Sequence, residues 1–200
     1  MADITDLILD DHRWFRAQFI ALDDAGRDAG EGADESALNK VWEPLAQRLD
    51  LHAIAEEQIF YPQLLKFGKD PEDETLDAIG DHNDIRDGVH DAARHPVGTD
   101  EWWAAVRSAR EANDEHMAEE EREGIADFRR HAPAAQRESL GRQFAAFLDE
   151  HRTTDGVDTS DKDPQEYVRE IERTLHSPEN SDDAGDPSLG IASLKGKLSS

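Results

Sequence analysis

Four stretches of this chain repeat apolar residues at helical spacing, and a histidine falls inside each stripe: His12, His52, His82 and His116. In two of them a glutamate follows four residues later, Glu56 after His52 and Glu120 after His116. An amphipathic helix ordinarily keeps such groups on its wet face, because burying them without partners costs several kcal/mol. The chain is therefore confined to folds that bring these groups onto one another, or onto something that balances them.

Helical periodicity dominates to about residue 150 and alternating polar and apolar runs are missing, which predicts an all-α domain over residues 1–151. The first helix is expected from near Asp3, carrying Ile4, Leu7, Ile8, Phe15, Phe19 and Leu22, with Gly26 and Gly30 following. The second, capped by Ser36, runs from Leu38 to Leu64, with Pro44 and Pro62 expected to kink it or trim its ends. The third begins near Thr75 after the turn "KDPEDE" and stops at His95-Pro96. The fourth, capped by Thr99 or Asp100, continues through His116 and Glu120 toward Phe128. A fifth has Pro133 in its first turn, and its edge of Leu140, Phe144, Phe147 and Leu148 could cover one side of a bundle. Residues 152–200 form a second region: a polar linker, a short capped helix over 164–175 with Tyr167, Ile171 and Leu175, and a tail too poor in apolar residues to fold alone, either disordered or docked.

Charge narrows the partners. With 47 acidic against 22 basic side chains the formal charge is -25, which repels phosphate backbones and anionic lipid heads and sets nucleic acid aside. No apolar run is long enough to span a bilayer, and Asp6, Asp10 and Asp11 interrupt the amino-terminal apolar residues, unlike a secretory signal. A cytoplasmic protein is the expectation. The chain has no cysteine, so any metal must be held by nitrogen and oxygen.

With 9 His in 200 residues an H-x-x-x-E pair arises about once by chance, so either pair alone is weak. Repetition strengthens it. "DHRWFR" at 11–16 matches "DHNDIR" at 81–86, and "LHAIAEE" at 51–57 matches "EHMAEEE" at 115–121, so each half supplies a lone histidine and then an H-x-x-x-E. Residues four apart on a helix rise about 6 Å and point the same way, so one helix can present both an imidazole and a bridging carboxylate. Two such helices and two with a lone histidine can surround a pair of ions, His12 and His52 on one, His82 and His116 on the other, with Glu56 and Glu120 between.

The order His12, His52-x-x-x-Glu56, His82, His116-x-x-x-Glu120 on successive helices resembles the hemerythrin-like, HHE cation-binding domain, over about residues 5 to 150. The resemblance implies an up-down four-helix bundle, here with an additional C-terminal helix and a polar tail, holding two iron ions in a non-haem, oxo- or hydroxo-bridged centre. Imidazole and carboxylate also suit manganese and admit zinc. Ferritin-like di-iron bundles use E-x-x-H, which does not occur in this chain. Oxygen-carrying hemerythrins have a further histidine one turn after the third-helix histidine, where this chain has Arg86, and their last acidic ligand is an aspartate five residues on. A more open centre is expected, one that binds or reacts with dioxygen, peroxide or nitric oxide and decomposes peroxide modestly. The alternative is an iron, oxygen or redox sensor signalling through its C-terminal segment, while iron storage lacks any visible mineralising cage.

Blander readings apply residue by residue. His52 with Glu56 can be an exposed ion pair, and His12 or His82 a hydrogen-bonded core histidine, but these must hold on four helices together. His90, His95, His131, His151 and His176 read as loop or surface residues. Glu57, Glu119, Glu121 and Glu123 read as a solvated acidic face, and Arg16 and Arg86 as ion-pair partners of nearby carboxylates. Tyr61 lies about 140° around an ideal helix from Glu56, so it reaches the cluster only if the helix is distorted near Pro62.

Overall fold

The computed structural model describes residues 2–28, 35–69 and 71–177, and among them every regular element is helical. None of these helices is long and apolar enough to cross a membrane. Gly30 and residues 178–200, most of the polar tail, lie outside the described residues.

Helix α1 spans Ile4–Asp28, started by the Asp3 side chain, which accepts from the Thr5 amide at 3.0 Å. It runs through Gly26 instead of ending there. That glycine serves packing, since a Cβ would lie 2.8 Å from the Trp103 ring. Helix α2 spans Glu35–Ala55, so Ser36 falls inside its first turn, and it continues through Pro44, whose exposed position lets water reach the carbonyl that proline leaves unpaired.

A π-helical turn, Glu56–Phe60, then separates α2 from α3, Tyr61–Phe67. The Tyr61 amide donates to the Glu56 carbonyl five residues back. In that register the next donor would be Pro62, which has no N–H, and the Glu57 carbonyl takes a hydrogen bond from the Tyr167 hydroxyl at 2.6 Å. The distortion expected near Pro62 is therefore present, one turn earlier.

Helix α4 spans Pro71–Ala92 and starts four residues before Thr75, because Pro71 fits a first helical position and Glu72, Asp73 and Glu74 favour the positive end of the helix dipole. Helix α5, Asp100–Arg122, is capped by Thr99, whose hydroxyl accepts from the Trp102 amide. It ends at Glu123, and the segment to Phe128 belongs to a separate helix α6, Gly124–His131. Helix α7, Ala134–Glu150, follows Pro133, and α8, Pro164–Leu175, is capped by Asp163.

Neighbouring helices pair antiparallel where α4 meets α5, Gly88 lying on Ala109 and His82 on His116. Helix α1 packs against α2 and α7, and α8 against α4 and α3. Two apolar clusters result. One gathers Ile4, Ile8, Phe60, Leu64, Ile79, Phe128, Phe144 and the α8 residues Tyr167, Val168 and Ile171. The other gathers Phe15, Phe19, Trp42, Leu45, Ile85, Val89, Trp102 and Ala109. On α1, His12 falls between Ile8 of the first and Phe15 of the second, and on α4, His82 falls between Ile79 and Ile85. The histidines thus form a polar layer between two apolar ones.

Candidate metal centre

The layer is built from one residue or pair per element: His12 on α1, His52 on α2, Glu56 opening the π-turn, His82 on α4, His116 and Glu120 on α5. All six are buried. His12, His52 and Glu56 each offer a ligand atom within 4.8 Å of the others, and so do Glu56, His82 and His116. Glu56 belongs to both sets, with Oε1 3.0 Å from His52 Nε2 and Oε2 3.3 Å from His82 Nε2. Glu120 Oε2 lies 3.4 Å from His12 Nε2. The six residues singled out in the sequence are brought to one place.

What points the imidazoles inward is a second ring of carboxylates. His12 Nδ1 lies 3.0 Å from Glu121, His52 Nδ1 3.0 Å from Asp11, His82 Nδ1 3.0 Å from Glu57, and His116 Nδ1 3.4 Å from Asp81. A proton held on Nδ1 leaves the Nε2 lone pair facing the centre, the arrangement that orients histidines around a cation. The repeat encodes the ring: Asp11 and Asp81 precede the lone histidines and hold the histidine of their own half, while Glu57 and Glu121 follow the H-x-x-x-E glutamates and hold the lone histidine of the other half. Arginines come next, Arg16 at 2.9 Å from Glu121 and Arg86 at 2.5 Å from Glu57.

These carboxylates are the residues that sequence reasoning missed. Glu57, expected on a wet face, is buried, with His82, Arg86 and Lys162 around its carboxylate. Glu121 is half-buried, and of that expected acidic face only Glu119 and Glu123 are exposed. The signal is present in the quoted repeat, in which an acid precedes each lone histidine and another follows each H-x-x-x-E glutamate. Tyr61 joins the site because the π-turn carries position 61 around to the face of Glu56, and its hydroxyl donates to Glu120 Oε1 at 2.8 Å. His90, His95, His131, His151 and His176 are half-buried or exposed and stay outside the layer.

Burial alone would strip the charge from these groups, lowering imidazoles and raising carboxyls. The opposite happens. Against that desolvation, Glu56 and Asp11 hold the His52 imidazolium up to about 10, and carboxylates raise His12 and His82 likewise. Glu56 is driven well below the usual carboxylate range by His52 and His82, and Glu57 to about 2 by His82, Arg86 and Lys162, both despite burial. The layer thus attracts positive charge strongly. Five atoms at its centre, His12 Nε2, His52 Nε2, both Glu56 oxygens and Glu120 Oε2, have no hydrogen-bond partner. Buried polar atoms left in this way are unusual in a folded protein, and five converging ones fit one or more cations held by nitrogen and oxygen. A cleft of about 30 Å³ between α4 and α5 reaches His116, Glu120 and Tyr61 from a rim that includes Asp77 and Glu123.

A family model, Hemerythrin HHE cation binding domain, matches residues 3–128. No curated protein and no solved structure matches the chain.

Proposed function

Since the chain belongs to the hemerythrin HHE cation-binding family, we propose that it is a non-haem di-iron protein whose open centre binds or reacts with dioxygen or a related small oxidant, peroxide or nitric oxide. The observation that carries this reading is the ring of four Nδ1-held histidines turned onto two glutamates with unpartnered oxygens. His12 and His52 serve one ion, His82 and His116 the other, and Glu56 and Glu120 lie between them. The up-down four-helix arrangement of α1, α2 with α3, α4 and α5 belongs to the same proposal, supported by the antiparallel meeting of α4 and α5. So do a cation-binding domain ending near residue 151 and a cytoplasmic location.

Two iron ions would supply two reducing equivalents and Lewis-acidic positions for a small molecule. The chain does the rest. Asp11, Asp81, Glu57 and Glu121 hold the imidazole protons outward, and the Tyr61 hydroxyl keeps Glu120 Oε1 hydrogen-bonded while Oε2 faces His12. The apolar clusters on either side keep bulk water away, and the cleft admits something the size of a water molecule. Arg86 is engaged with Glu57 and Asn83, so α4 supplies one ligand where oxygen carriers have two.

Stopped-flow mixing of the reduced, iron-loaded protein with oxygen, peroxide or nitric oxide tests this. Rapid oxidation and modest peroxide decomposition are expected. Oxygen uptake that lasts for hours and reverses under vacuum would make the protein a carrier instead. A sensor is the second reading, favoured by the direct contact of Lys162 and Tyr167 with Glu57. It predicts that oxidation releases α8, visible as faster hydrogen exchange over residues 164–175.

A further inference from the structure

The internal repeat that builds the centre is two-fold in its ligands and not in its surroundings. Glu57 and Glu121 are equivalent positions: each accepts from the Nδ1 of the other half's lone histidine and pairs with the arginine one turn beyond it. There the likeness ends. The Glu121 side chain is 31% exposed and its Arg16 is 40% exposed, whereas Glu57 is 1% exposed and Arg86 fully buried. Glu57 also receives a second cation, Lys162 Nζ at 2.7 Å from Oε2.

Lys162 is built into that place. Its amide donates to Asn83 Oδ1 at 3.0 Å, and its carbonyl accepts from Asn83 Nδ2 at 2.8 Å, beside the ligand-bearing turn of α4. At the position equivalent to Asn83 in the other half stands Arg13, an exposed residue paired with Asp10. Five residues after Lys162, the Tyr167 hydroxyl satisfies the Glu57 carbonyl that Pro62 cannot serve. The family match ends at residue 128, so this strap lies outside the matched region.

We propose that Lys162 is a positioning residue that makes the two cation positions unequal, by drawing on the charge of Glu57 and so weakening the hydrogen bond that orients His82. The inference rests on the two-cation reading above. A carboxylate shared between a buried guanidinium and an ammonium makes the histidine that donates to it a poorer electron donor. The ammonium also repels a cation directly, and both effects loosen the position held by His82 and His116. In the other half Arg48 draws on Asp11 in the same sense at 2.8 Å, but Arg48 is 31% and Arg16 40% exposed, against 23% for Lys162 and none for Arg86, so water screens the charges of that half more.

Extraction of zinc(II) from the full chain by excess chelator tests the proposal. Two zinc ions should leave in two phases separated by about tenfold. Lys162→Met should slow the faster phase toward the slower, and Lys162→Arg should restore the separation. A strap that only braces the fold predicts the reverse sign, because its loss would let both ions leave faster. Tyr167→Phe supplies the comparison, since it loosens α8 without touching the Glu57 charge and should accelerate release. Two zinc ions leaving the wild type in one phase, or a faster release from Lys162→Met, would overturn the proposal while leaving the centre intact. Fewer than two bound zinc ions would overturn the two-cation reading and this inference together.

Discussion

An imidazole in a protein interior offers a lone pair to a cation only if its proton is held at the other nitrogen, and here that task falls to Asp11, Glu57, Asp81 and Glu121. Asp81 isolates the effect best. It is half-exposed, and its contact with His116 Nδ1 is direct, so removing its charge disturbs little else. Asp81→Asn is expected to weaken cation binding about tenfold, in the range usual for such orienting groups, whereas the exposed Glu119→Gln should leave it unchanged. Competition against a chromogenic chelator measures both. The six inward residues were legible in the sequence because the lone histidine and the H-x-x-x-E recur in order. Their orienting acids were not, because a glutamate beside a ligand on a helix looks like any wet-face glutamate until its neighbours are known. Glu57 is buried only because α4 brings Arg86 and the chain returns with Lys162 from more than a hundred residues away.

At the scale of elements, the helices were legible from their 3.6-residue period, and their breaks less so. The π-turn has a local mark only in Pro62; what completes it is the Tyr167 hydroxyl, supplied by a helix remote in sequence. The sequence alone starts α4 late, near Thr75, because "DPEDE" reads as a turn and as a good helix start alike. Two elements invite direct tests. Gly88 lets α4 approach α5 closely: a Cβ there would lie 2.6 Å from the Ala109 amide nitrogen. Gly88→Ala should therefore force the helices apart and cost about 1–3 kcal/mol by urea unfolding. Asp3 caps α1 and also holds Arg137 of α7, so Asp3→Ala should cost about 1–2 kcal/mol. Although burial raises the Asp3 carboxyl, Arg137 and Thr5 lower it below the ordinary 3.8. Its contribution is accordingly present above pH 3.8 and lost as pH falls through the depressed value, so wild type and variant should converge in acid.

The molecule as a whole places a layer of histidines and carboxylates between two apolar clusters, an arrangement that strongly disfavours the fold unless something balances it. Without cations the buried imidazoles and carboxylates keep only one another, and several inward atoms make no hydrogen bond. Chelation should therefore lower the melting temperature markedly, and coincident melting curves with and without metal would mean that the layer is stable by itself. The net charge of -25 acts in the same direction, since bound cations reduce self-repulsion. The most direct test of the central claim is the metal content of the purified chain after iron loading, compared with that of a His52→Ala, His116→Ala double variant that retains its helical content. The account predicts about two iron ions per chain in the wild type and clearly fewer in the variant. Full loading of the variant would contradict it.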